Sequence, residues 1–199
     1  TASDNTVDVA FAEDQGDITI TGGTATDFHT TLLGHESDGK IGGGGVGLTG
    51  VKLTINESEV TVAQANDLTD TTTGVVTATV SDGDVATLKN LEARGNAKLT
   101  VTVTDTSAAA ADLNTINAGT TVAVDIDAVA TITSSTLDSI VTLGGKITAG
   151  TEIESTTAIS AITVSDSDID FTTLDAEINR FNGFRTGDNT TAFTLADDA

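Results

Sequence analysis

The feature that most constrains this chain is a short alternating segment, rich in Thr and Val, that returns along its length. Clear copies are Val76-Thr77-Ala78-Thr79-Val80 ahead of Asp82 and Leu99-Thr100-Val101-Thr102-Val103 ahead of Asp105. Two more are Val122-Ala123-Val124-Asp125-Ile126 and Ile162-Thr163-Val164 ahead of Asp166. Ile18-Thr19-Ile20, Leu53-Thr54-Ile55 and Phe193-Thr194-Leu195 ahead of Asp197 are weaker copies. Alternation of apolar and polar residues is the period of a half-buried strand, and Thr and Val favour that pleated surface. Val80, Val103 and Ile126 follow one another at intervals of 23 residues, and a further step falls beside Lys146-Ile147-Thr148.

A second element with helical spacing recurs between the strands. It is seen in Val85, Leu88 and Leu91, in Leu113 and Ile116, and in Leu137, Ile140 and Leu143. Phe28 with Leu32 and Leu33, and Leu174 with Ile178 and Phe181, extend the pattern to both ends. Apolar residues three and four apart share one face of a helix. Asp82, Ser107 and Ser134 or Ser135 stand at expected N-caps. Gly34, Gly74, Gly95, Gly119, Gly144 and Gly183 stand at expected left-handed C-terminal positions.

Strand, cap, helix and glycine in that order predict an α/β fold: a solenoid of short strand-plus-helix repeats with a parallel sheet. The alternative is an all-β sandwich, which does not call for helical spacing between its strands. The outer repeats are longer than the middle ones, as terminal repeats that must be capped often are. Residues 1–50 read as an irregular N-terminal cap with a Gly-rich loop from Ile41 to Gly50, and residues 51–199 as the strand–helix array.

The runs Val75-Val76-Thr77-Ala78-Thr79-Val80-Ser81-Asp82 and Ala109-Ala110-Ala111-Asp112-Leu113-Asn114-Thr115-Ile116-Asn117 resemble repeats of large cyanobacterial and marine bacterial surface proteins. Similar repeats occur in cyanophage structural proteins. The resemblance covers roughly residues 75 to 170 and is compositional. It implies a long extracellular or virion-borne repeat protein used for structure or adhesion, and it carries over no catalytic residue.

Charge narrows the partners. Thirty acidic residues against eight basic ones leave a formal charge of −22 over 199 residues. Such a field repels phosphate backbones and anionic headgroups, so neither nucleic acid nor an ordinary membrane surface is an expected partner. It attracts divalent cations, with calcium as the candidate cofactor. High charge with few aromatics can also mark disorder, but 38% of the residues are hydrophobic and they cluster periodically, as in a folded chain. Cys is absent, which removes disulfides, thiolate metal sites and a cysteine nucleophile. No apolar stretch is long enough to span a bilayer, and the start at Thr1 without a signal peptide reads as a processed chain or a segment of a longer one.

The best metal candidate is Asp166-Ser167-Asp168-Ile169-Asp170 with Glu177, which sets carboxylates at the first, third, fifth and twelfth positions of a calcium loop. Phe171 stands where that loop wants Gly, so the competing reading is a strand end running into the acidic first turn of a helix. The glycines at 42–45 lack the Lys-Ser or Lys-Thr of a phosphate-binding loop. His29 and His35, the only histidines, lack marked co-ligands or a nucleophile. Thr77 and Thr79 with Thr100, Thr102 and Thr104 sketch a flat Thr array of the kind an ice-binding face needs, but Ala123 and Asp125 break it. No Gly-x-Ser-x-Gly elbow occurs and no carboxylate pair stands out.

On these readings an enzyme is not expected. They lead to a self-associating structural module of an extracellular surface layer, an adhesin stalk or a virion fibre. Its expected partners are copies of itself or adjoining domains of a longer chain. The alternative function is a receptor- or glycan-binding module that uses the irregular loops around residues 34–50 and 183–190.

Overall fold

The structure, a computed structural model, describes residues 19–27, 48, 50–149, 151–156, 159–166, 172–173, 175–176 and 192–195. The described elements begin with β1 (Thr19–Thr21), β2 (Lys52–Thr54), α1 (Val62–Thr71), β3 (Val76–Thr79), α2 (Val85–Leu88) and β4 (Ala97–Thr100). They continue with β5 (Ser107–Ala108), α3 (Ala110–Ala118), β6 (Val124–Asp125), β7 (Thr131–Ser135), α4 (Leu137–Ala149), β8 (Ile153–Glu154), β9 (Ala161–Val164) and β10 (Ala192–Leu195). Every described strand pairing is parallel. The fold is therefore α/β, and the described strands do not form the antiparallel sandwich.

The chain divides into two compact units. The first comprises Thr1–Ser81 with Arg94–Thr100. In it β1, β2, β3 and β4 lie side by side in chain order. The register places Ile20 beside Leu53, Leu53 beside Val76, and Ala78 beside Leu99. Alternation then sends Leu53, Val76, Ala78, Ala97 and Leu99 inward, where they are buried with Val62, Ala65 and Leu68 of α1.

The second unit comprises Asp82–Ala93 with Val101–Ala199. Its larger sheet runs β5, β7, β9, β10, so that Ala108, Ile132, Ile162 and Phe193 stand in one column. A smaller sheet pairs β6 with β8, and Thr102 bridges to Asp125 at its margin. Helix α3 packs on α2, α4 and β7. Leu88, Leu113, Ile116, Ile140 and Leu143 share the buried set with Val103, Val124, Ile126, Ile132, Ile153, Ile162 and Val164.

Several expectations are corrected. The segment Lys146-Ile147-Thr148 is helical, because α4 continues for 13 residues through Gly144. The next strand beyond β6 is β8, at Ile153. The strand expected over Leu99–Val103 begins at Ala97 and changes partner: β4 pairs with β3, whereas Thr102 bridges to Asp125. The two-residue β5 and β8, the longer β7 and helix α1 have no counterpart in the expected pattern. Among the positions expected to be left-handed, Gly74, Gly95, Gly119 and Gly144 show no positive φ; Gly34 and Gly183 lie outside the described residues.

Two of those glycines are there for space. A Cβ at Gly119 would come within 2.6 Å of the Leu91 Cβ, and one at Gly74 would overlap the Val51 carbonyl. The helix expected around Phe28–Leu33 also lies outside the described residues, and that around Leu174 is described only at Thr172, Thr173, Asp175 and Ala176, which are helical.

Candidate functional site

Several side-chain hydrogen bonds of the described chain join a helix or turn to a segment 20 or more residues away. A helix leaves its first amides without intrahelical partners, and an N-cap side chain reaches only the second or third of them. In α2, Asp84 is the N-cap and accepts from the Thr87 N–H at 2.9 Å. In α4, the Thr136 hydroxyl accepts from the Ser139 N–H at 3.3 Å. Helix α1 has a complete capping box, with Thr61 accepting from Gln64 N–H and Gln64 Oε1 accepting from Thr61 N–H at 2.9 Å. Helix α3 has Ala109 at the N-cap and hence no side-chain cap of its own.

The first helical amide, beyond reach of the local cap, is taken by a side chain further along the chain. Val85 N–H donates to Asp105 Oδ2 at 2.8 Å, 20 residues on. Ala110 N–H donates to Ser135 Oγ at 2.8 Å, 25 residues on. Leu137 N–H donates to Asp166 Oδ2 at 2.5 Å, 29 residues on. In the first unit, Ala25 N–H donates to Ser58 Oγ at 2.6 Å, 33 residues on. All four acceptors lie later in the chain than the helix or turn they serve. Ser135, expected to cap the helix of its own repeat, caps the preceding one instead. Asp82 and Ser107 are likewise not N-caps, since Asp84 and Ala109 hold those positions.

Asparagine amides join segments distant in sequence near the helix C-termini. Asn96 Nδ2 donates to the carbonyls of Thr69 at 3.2 Å, Thr72 at 2.6 Å and Gly74 at 3.1 Å, supplying the end of α1. Asn117, near the end of α3, donates to the Glu152 carbonyl at 2.7 Å. Asp127 accepts from both the N–H and the hydroxyl of Thr156, 29 residues on.

Electrostatics follow the caps. Hydrogen bonds from the Thr87 side chain, and then from its backbone, hold the Asp84 carboxyl below its ordinary value. The Thr24 backbone N–H and then its hydroxyl do the same for Asp27. On the small sheet Asp125 stands beside Glu154, an arrangement of like charges that costs stability unless a cation or solvent screens it.

Of the expected calcium loop, only Asp166 is described, and one of its oxygens is committed to the Leu137 amide. Asp168, Asp170 and Glu177 lie outside the described residues, as do the glycines at 42–45, His29 and His35. Among the described residues no three His, Cys, Asp or Glu side chains gather closely enough to hold a metal. The expected Thr array is interrupted in space: Thr77 stands between Thr54 and Lys98 and Thr102 beside Asp125, leaving Thr79 beside Thr100. Among the described residues no helix is long and apolar enough to cross a membrane.

The linking role of Asp105 and Asp166 has a sequence signal, the recurring apolar-x-Asp at strand ends. What that signal does not reveal is that each Asp serves the helix before it. Comparison with protein-family models, curated proteins and solved structures finds no match for this chain.

Proposed function

We propose that this chain is a non-enzymatic structural module: a strand-plus-helix solenoid in an extracellular surface layer, an adhesin stalk or a virion fibre. It assembles with copies of itself or with adjoining domains of a longer chain. The observation that carries this reading is the chain-order parallel pairing together with the side chains that tie each repeat to the one before. Such an arrangement is a translation that further repeats extend without new rules. Free strand edges at the ends of such an array offer backbone donors and acceptors to another chain. The acidic surface and the Asp125–Glu154 neighbours favour calcium as the counter-ion, with Asp166, Asp168, Asp170 and Glu177 as its candidate ligands.

The test is light scattering after size exclusion, coupled to a thermal melt, in calcium and then in chelator. A higher melting temperature and large assemblies in calcium are expected. A monomer whose melt is the same in both buffers overturns calcium-driven assembly and moves a receptor- or glycan-binding module ahead of it.

A further inference from the structure

Resting on the repeat reading proposed above, we infer that four downstream side chains, here called latches, complete the first turn of the helix or turn before them, so that removing a latch side chain loosens the start of the preceding helix. The donor is always the first amide of an upstream helix or turn, and the acceptor is always a downstream side chain: Ser58, Asp105, Ser135 or Asp166. The two partners do not lose equally when they separate. Asp166 is only half-buried, and water readily replaces the amide it gives up. Ser135 has a second partner within its own strand, the Thr133 carbonyl at 2.7 Å.

The upstream amides have no such reserve. Ala110 is wholly buried and Leu137 is 7% exposed. An amide there that loses its acceptor stays unpaired, and an unpaired buried donor is costlier than a weakened hydrogen bond. Helix α3 is the extreme case, because Ala109 gives it no local cap. The local caps of α2 and α4 serve Thr87 and Ser139 and cannot substitute, since the latched amide lies two residues earlier. The register is thereby specified by a polar pair as well as by the alternating strand pattern, and the group left unpaired when a latch is removed is the buried amide of the earlier helix.

Hydrogen exchange on the full chain tests this, because it reports where protection is lost. Asp166→Ala is expected to speed exchange over Leu137–Ile140 by roughly two- to thirtyfold, the range set by loss of a helix cap, and by more than over Ala161–Val164. Asp166→Asn retains an acceptor oxygen and is expected to restore protection at Leu137. Ser135→Ala is expected to act the same way on Ala110–Leu113. Faster exchange confined to β9 or β7, the strands next to or carrying the substitution, overturns the inference. So does a uniform rise through the chain, or a failure of Asp166→Asn to protect Leu137.

Discussion

Helices α1 and α3 are nearly the same length, ten and nine residues, and their starts are capped in different ways. The start of α1 has a local cap, the reciprocal Thr61–Gln64 pair, which serves the Gln64 and Thr61 amides. The start of α3 has no local cap and waits for Ser135, 25 residues later. A helix of the first kind carries its own boundary and can begin to form from local sequence. The start of the second kind is completed only by a residue beyond the helix, in β7. The difference lies in the helix ends, because the buried faces of the two are alike: Leu68 and Leu113 are both wholly inaccessible.

That likeness gives the largest expected effect. Leu68→Ala and Leu113→Ala should each cost about 2–5 kcal/mol, the lost burial plus the cavity left behind. Urea unfolding of the two variants measures it. Similar losses place the contrast between the helices at their termini. A much smaller loss for Leu113→Ala would mean that α3 is poorly anchored by its core, and that the contrast is wrong.

The contrast also explains what was legible in the sequence. The Val76–Val80 and Ile162–Val164 strands were readable because period-two alternation is imposed by one buried face, and both became strands in parallel sheets. Helices α2, α3 and α4 were readable from their apolar spacing. Helix α1 was missed although Thr61-x-x-Gln64 is a local start signal followed by Val62, Ala65 and Leu68 at helical spacing. Strands β5 and β8 have two residues each, too few for any periodicity to register. The latches were unreadable for a different reason. Ser135 beside Thr136 looks like a local N-cap, and only the three-dimensional register shows which helix it faces.

Glycines sharpen the same comparison between local and remote causes at a smaller scale. Gly95 and Gly119 each follow an apolar segment and were expected to serve as left-handed helix stops. Gly119 instead has a φ of −77° and sits against Leu91. Gly119→Ala should therefore destabilise by about 1–3 kcal/mol through overpacking. A Cβ at Gly95 meets nothing within 4 Å, and its φ is not positive. Gly95→Ala should accordingly stabilise by about 0.4–1 kcal/mol, by restricting the unfolded chain. Denaturant midpoints for the two variants check both signs, and equal losses at both positions would restore the local explanation for these glycines.

The smallest expected effect separates helix starts by the chemistry of their caps. Asp84 and Asp27 are local capping carboxylates held below their ordinary value of 3.8 by donors of Thr87 and Thr24. With the folded value below the unfolded one, the stability they add is complete above the unfolded value. It is lost as acid protonates first the unfolded chain and then the caps themselves. The window is therefore below about pH 4. The α1 box and the Ser135 latch use an amide and hydroxyls, which do not titrate there. Acid should thus speed exchange at Thr87 N–H, beyond the intrinsic pH dependence, before it does so at Gln64 or Ala110. Asp84→Asn should remove that early step at Thr87 while leaving the other two amides as they are. Simultaneous acid loosening at all three amides would show that the starts of α1, α2 and α3 do not open separately.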